Sequence, residues 1–244
     1  MIELRNITKY HGNDIVLNDV SLKIELGTQV ALIGPGGSGK SLLTKIICGL
    51  VKPDAGDVLI DGESINGMGA LEISRVRGKI GMLFQNYALW DFMTVEENIG
   101  FPMRQAFPEK PDEEVKARVA ELLTQVDLPG IQHQFPNELS GGMKKRVTWA
   151  RAVINLAPIL IYDDPTAGLD PVTSSKIFIL LEELKVKHRT TSIVITHDLK
   201  GASSICDRWV MINDGQIIFD GTREEIEVCE TKLVWQFWRG ESDG

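Results

Sequence analysis

Residues 34–41 read Gly-Pro-Gly-Gly-Ser-Gly-Lys-Ser and fill the template G-x-x-x-x-G-K-[ST] at every fixed position, which ties this stretch to one local architecture. The template works only between a buried strand and a helix. Both flanks comply: residues 29–33 are a short apolar run of strand character, and residues 42–50 read as a helix. Gly34, Gly36, Gly37 and Gly39 let the backbone turn tightly enough for successive N–H groups to face phosphate oxygens, and Pro35, Ser38 and Leu42 belong to the same phosphate-binding stretch. In such a loop the Lys40 ammonium reaches the β- and γ-phosphates, and the Ser41 hydroxyl ligates Mg²⁺. With glycine at about 7% of residues, a chain of this length matches the template by chance roughly once in a hundred, so a plain glycine-rich turn is set aside.

A second template overlaps the first. Gly34, Gly36 and Gly39 also spell G-x-G-x-x-G, and Asp61 follows a strand about 20 residues on, as a dinucleotide-binding fold requires. Lys40-Ser41 has no use in a dinucleotide site, and the motifs further along belong with the phosphate loop.

The net charge of −8 offers no basic field to a polyanion, which removes nucleic acid as an expected partner. Cys48, Cys206 and Cys229 are widely spaced and form no C-x-x-C, a pattern of buried thiols in a reducing compartment rather than of a disulfide framework or a zinc site. No stretch approaches 18 apolar residues, and the first five residues lack the basic and apolar regions of a signal peptide. Work at a membrane would need a partner to bring the chain there.

Ahead of the phosphate loop, residues 2–7 and the alternation of Val20, Leu22 and Ile24 with polar neighbours predict strands, with Tyr10 in the loop between them. A loop aromatic beside a nucleotide site can stack on a base, by analogy with nucleic-acid binders worth about 1–3 kcal/mol, or can be incidental. Beyond the loop, residues 57–60 read as a strand between turns at 53–56 and 61–62, extending an antiparallel layer to about residue 64. A helix around 71–77 leads into a strand, 80–84, which Gln85 ends. From Asn86 the chain is helix and loop: Thr94 and Glu97 form a capping box, Asp112 caps a helix whose Val115, Val119, Leu122, Leu123 and Val126 share a face, and a helix over about 144–155 follows Leu139-Ser-Gly-Gly-Met143. Strand character returns at 159–162 and ends in Asp163-Asp164-Pro165; Pro171 then opens a helix, and residues 191–196 form a β-branched strand ending at His197. A hairpin spans 209–219, Thr222 and Glu225 cap a final helix, and Trp235, Phe237 and Trp238 crowd the C-terminus.

A phosphate loop after one strand and an acidic pair after another are the parts of a nucleotide hydrolase. Asp163 would hold Mg²⁺ through its water shell and Asp164 would polarise the attacking water. With Gln85, Leu139-Ser-Gly-Gly-Met143, Ala167-Gly-Leu-Asp170 and Thr196-His197 in this order, residues 2–221 closely resemble the nucleotide-binding subunit of ATP-binding cassette (ABC) transporters. The resemblance implies an α/β P-loop NTPase fold of the ABC ATPase type, with a RecA-like core, an antiparallel β-subdomain and an inserted α-helical subdomain. It implies a cassette over 1–221, with the helical subdomain at about 86–156, and a C-terminal helical tail over 222–244. It also implies roles in binding and hydrolysing ATP: Tyr10 stacks on adenine, Lys40 and Ser41 hold phosphate and Mg²⁺, Gln85 links Mg²⁺ to a membrane partner, and His197 contacts the γ-phosphate. Catalysis would rest on Asp164, His197, Gln85 and Lys40. Ser140, Gly141 and Gly142 would open a helix that faces the γ-phosphate bound to a second copy, with Asp170 at the same interface, so that ATP closes a head-to-tail homodimer.

Met143 stands where most family members have Gln. Residues 86–98, 168–174 and 234–240 resemble the ATPases of Mla-type, Mce-associated phospholipid-trafficking systems. That branch implies an integral-membrane permease, a lipid-binding Mce-type partner, and a peripheral place on the cytoplasmic face of the inner membrane. Tyr87, Trp90, Phe92 and Met93 would line a groove for a permease helix, or form a small core of the helical lobe. Amino-acid importers and lipoprotein exporters share much of the same core. A soluble nucleotide-gated switch shares it too, but a single cassette without heptads or a basic tail argues against that class. One position departs from the family: the Glu usual after the Mg²⁺ aspartate is Asp164 here, which puts efficient hydrolysis in doubt.

Overall fold

Strands buried at every position need a layer on each face, and Gln29–Ile33, Ile159–Asp163 and Thr191–Ile195 impose this requirement on the chain. The computed structural model describes residues 1–84 and 86–240. It opens with a long hairpin, β1 (Ile2–His11) and β2 (Asp14–Ile24), then β3 (Gln29–Ile33), α1 (Lys40–Ile47), β4 (Ala55–Ile60), β5 (Glu63–Ser64), α2 (Ala70–Gly78) and β6 (Ile80–Leu83). Three helices follow, α3 (Val95–Ala106), α4 (Asp112–Gln125) and α5 (Gly141–Val153), before β7 (Ile159–Asp163), α6 (Pro171–His188) and β8 (Thr191–Ile195). A short α7 (Leu199–Ala202), the hairpin β9 (Arg208–Asn213) and β10 (Gln216–Gly221), then α8 (Arg223–Glu227) and α9 (Lys232–Arg239) complete the order.

The strands form a four-stranded antiparallel sheet, β2-β1-β4-β5, and a six-stranded sheet, β10-β9-β3-β8-β7-β6. In the larger sheet β9, β3, β8, β7 and β6 are parallel, and β10 is antiparallel to β9. Alternate residues serve opposite cores. Ala31 and Ile33 of β3 pack with Leu160, Tyr162 and Trp209 towards α3–α6, while Val30 and Leu32 pack with Ile161, Ile193 and Val210 on the other face. Leu43, Ile46 and Ile47 of α1 join Ile2, Leu4 and Ile7 of β1 in that second core, so α1 fills the space between the two sheets. Although α3, α4 and α5 lie between β6 and β7 in sequence, β6 and β7 are parallel neighbours. The helices therefore leave and rejoin the sheet between adjacent strands.

Six expectations need correction. Tyr10 is not in a loop: β1 runs on to His11, Tyr10 pairs with Ile15, and register shifts at Ile7, Lys9 and Tyr10 scramble the alternation that marks a strand. Ala55 and Gly56 belong to β4 rather than to the preceding turn. Asp112 does not cap α4. Pro111 holds that place, and the Asp112 carboxylate pairs with Arg104 and Lys116. α5 begins at Gly141, three residues early, because Ser140 caps it. Thr222 caps α8, but α8 is not the last helix; α9 follows, and Trp238 meets Trp209 edge to face at 4.7 Å. Cys48 and Cys206 are buried as expected, whereas Cys229 is partly exposed.

Candidate functional site

Parallel strands carry their C-terminal loops to one rim, and the register sets those loops side by side. Leu32 pairs with Ile195, and Ile195 with Asp163. The loop after β3, Thr196-His197 after β8 and Asp163-Asp164 at the end of β7 are therefore neighbours. Gln85, two residues past β6, lies outside the described residues.

Two glycines of the first loop are demanded by packing. Gly34 takes φ 141° with its Cβ direction 2.0 Å from the Ile212 carbonyl oxygen, and Gly39 takes φ 102° against Leu17. Gly36 and Gly37 differ, because a Cβ on either would meet nothing within 4 Å, which leaves room for an anion. Gly39 is also the N-cap of α1 and supplies no side-chain cap, so no capping side chain claims the first-turn N–H groups of that helix. Lys40 is only 7% exposed. Its Nζ donates to the carbonyl oxygens of Gly34 (2.8 Å) and Pro35 (2.6 Å) and to Ser38 Oγ (3.3 Å). Burial draws its pKa down, opposed by the carboxylates of Asp163 and Asp164. Ser41 and Leu42 are partly exposed in the first turn of α1.

Asp163 ends β7 and is 5% exposed. Asp164 follows in the left-handed region, φ 55°. Its amide donates to the Ile195 carbonyl oxygen (2.9 Å), and its own carbonyl oxygen accepts from Lys145 Nζ (2.8 Å) and the Ala167 amide (3.3 Å). Burial pushes the Asp164 carboxyl above its usual range, opposed by His197 and Lys145, while Asp163 adds to the rise. His197 itself is exposed. Asp164 and His197 also line a cleft of about 1190 Å³, together with residues of α6 and α7. Among the described residues, no three or more His, Cys, Asp or Glu side chains could hold a metal by themselves. Mg²⁺ takes one or two carboxylates and completes its shell with phosphate and water, so it needs no such cluster. Asp163 and Ser41 are the groups that could hold it.

Ser140 caps α5, its Oγ accepting from the Met143 amide (3.3 Å). Ser140 and Gly141 are exposed, and Gly142 is partly so. A Cβ on Gly141 would lie 3.2 Å from Tyr87 Oη, and one on Gly142 would lie 3.4 Å from Leu169. The hydrogen bond of Ser140 stays within α5, and those of Lys40 stay within the phosphate loop. Asp170 has local work as the cap of α6: it accepts from the amides of Val172 and Thr173, both at 3.0 Å, and from the Thr173 hydroxyl, at 2.5 Å. Those bonds, the hydroxyl first, hold its carboxyl below the usual range. Tyr10 is 47% exposed at the end of the β1–β2 hairpin, its amide bonded to Asp54 Oδ2 (2.7 Å).

The aromatic stretch after Gln85 does not form one patch. Tyr87 turns towards Gly141 and Lys145, Phe92 is 75% exposed, and Trp90 packs on Phe101 (4.6 Å) with the Arg151 guanidinium 5.4 Å from its ring. Trp90, Phe84, Met82 and Phe101 line a groove of about 530 Å³. Sequence patterns did not reveal three residues. Arg151 donates to the carbonyl oxygens of Tyr87 (2.8 Å) and Ala88 (2.6 Å), both left-handed residues, and burial draws its pKa down to about 10. Asn98 bonds to the backbone of Trp90, Met93 and Thr94. Lys145 lies in Lys144-Lys145-Arg146, which reads as a solvated run, and only its place four residues before the buried Trp149 signals that it faces inward.

Residues 17–167 match the family model described as ABC transporter. The chain is 35% identical over 244 residues to the intermembrane phospholipid transport system ATP-binding protein MlaF of Haemophilus influenzae, covering 100% of this chain and 92% of that one. It is 38% identical over 230 residues to the methionine import ATP-binding protein MetN of Latilactobacillus sakei, covering 93% of this chain and 66% of MetN. Among solved structures it is similar to the ATP-binding cassette MJ0796, in a dimeric post-hydrolysis state bound to ADP and Pi, with a TM-score of 0.87, 35% identity, and coverage of 91% of this chain and 98% of that chain. By family match, full-length identity and fold, the chain belongs to the ABC transporter family as an ATP-hydrolysing subunit.

Proposed function

We propose that this ATPase powers phospholipid trafficking through an integral-membrane permease, as a homodimer on the cytoplasmic face of the inner membrane with a lipid-binding Mce-type protein among its partners. The observation that carries the lipid assignment is end-to-end agreement, 100% of this chain and 92% of the other, with a relative named for intermembrane phospholipid transport. Methionine import is the second reading, favoured by a slightly higher identity, but MetN extends well beyond the matched part. Purifying the native complex and identifying its permease and bound lipid by mass spectrometry separates them. A permease with co-purifying phospholipid supports the first, and a lipid-free complex that binds methionine overturns it.

The cassette would occupy residues 1–221, with the helical insertion at about 86–156, and 222–244 would be its tail. Tyr10 would stack on the adenine, the 34–41 loop would wrap the phosphates, and Ser41 and Asp163 would hold Mg²⁺ with Gln85. Bound there, Mg²⁺ would neutralise charge on the phosphates. Asp164, half-buried with its peptide held on both sides, would orient the attacking water, and His197 beside it would contact the γ-phosphate. The exposed N-terminus of α5 at Ser140–Gly142 would complete the site of the second copy, with Asp170 at the same interface. The Trp90 groove would receive a permease helix.

A further inference from the structure

We infer that Lys145 is a positioning residue for hydrolysis, its ammonium fixing the Asp164 peptide and thereby the direction of the Asp164 carboxylate. The inference rests on the assignment of Asp164 as the residue that orients water. Lys145 is 2% exposed, in the first half of α5. Its Nζ donates to the Asp164 carbonyl oxygen at 2.8 Å and lies 5.6 Å from the centre of the Tyr87 ring. An ammonium is costly to bury without a partner, and an apolar side chain of equal length would pack as well, so the charge has a use beyond packing.

That use lies in the Asp164 backbone. Left-handed residues other than glycine persist only where their surroundings hold them. The Asp164 amide is tied to the end of β8, and Lys145 ties the carbonyl to α5, 19 residues earlier in the chain. The Ala167 amide reaches the same oxygen only at 3.3 Å, so Lys145 makes the closer contact. The hydroxyl of Tyr87, whose ring lies beside the ammonium, would come within 3.2 Å of a Cβ placed on Gly141 at the opening of α5. Lys145 thereby joins α5 directly to the turn carrying Asp164.

The test uses the full-length protein with Mg-ATP, comparing Lys145→Met, Lys145→Arg, Asp164→Asn and the double variant Lys145→Met/Asp164→Asn. Single-turnover hydrolysis resolves the residual rates, and a fluorescent ATP analogue measures affinity. A displaced carboxylate should cost Lys145→Met about 10–100-fold in kcat, with KM and analogue affinity within about twofold. Lys145→Arg should keep most of the activity. In the Asp164→Asn background, Lys145→Met should bring no further loss. Unchanged kcat in Lys145→Met, a loss shared with nucleotide affinity and thermal stability, or losses that multiply in the double variant would each overturn the role of Lys145. If Asp164→Asn hydrolyses ATP at the unaltered rate, the assignment of Asp164 is what fails.

Discussion

Lengthening Asp164 to glutamate should speed hydrolysis while slightly destabilising the fold. Asp is one methylene shorter than Glu, which withdraws the carboxylate by about 1.5 Å. An inward shift of the backbone could compensate, but the peptide is pinned at both ends, by Ile195 at 2.9 Å and Lys145 at 2.8 Å. Misplacement by about 1 Å costs on the order of 10²-fold in rate, or about 2.7 kcal/mol of barrier. Asp164→Glu should therefore recover tenfold or more of turnover, up to about 10²-fold. The φ of 55° works against it, since Asp and Asn enter the left-handed region more readily than Glu. A cost of about 1 kcal/mol would lower Tm by roughly 2–4 °C in a chain of this size. Asp164→Asn fits the same backbone, so it should melt like the unaltered protein and hydrolyse ATP near background. Steady-state phosphate release at saturating ATP in the assembled complex, beside thermal melts, reads both quantities. No gain with Glu while Asn abolishes turnover refutes the reach calculation, and equal rates in all three remove Asp164 from the mechanism.

Trp90→Ala should weaken permease association in co-purification while leaving ATP affinity unchanged, because Trp90 lines the groove and the phosphate loop does not depend on it. Asn98→Ala should cost about 2–4 kcal/mol in denaturant unfolding, since it strands the Trp90 amide and unties the carbonyls of Trp90, Met93 and Thr94. In the native protein at pH 8, a thiol reagent should label Cys229 ahead of Cys48 and Cys206, which are buried and whose thiols are pushed up to about 12; rapid labelling of all three would contradict the packing.

The parts of the fold and site that local chemistry dictates were legible in the sequence. Residues 34–41 stand out because glycine spacing and a lysine at a fixed place define the phosphate-loop template, and the runs of β3, β7 and β8 show burial on both faces. What local pattern does not encode stayed hidden. Register shifts disguised the end of β1 and put Tyr10 in a loop. Asp112 has the chemistry of a cap, yet Arg104 and Lys116 compete for it. Lys145 looks solvated because its partner, the Asp164 carbonyl, is brought to it only by tertiary packing. The same distance in sequence hides the Arg151 bonds to Tyr87 and Ala88. A helical tail over 222–244 was expected, but its division into α8 and α9 was not marked, because the docking of α9 depends on Trp209, more than twenty residues upstream.

The central claim is that one chain carries both halves of an ATP site completed by a second copy. Mixing two inactive variants tests it most directly: Lys40→Ala disables the phosphate loop, and Ser140→Arg obstructs the N-terminus of α5. Each alone should hydrolyse ATP at background. In a mixed dimer one site takes both lesions and the other takes neither, so random pairing should restore about a quarter of the unaltered rate. A mixture that stays at background, where the unaltered protein turns over ATP, would contradict the composite site.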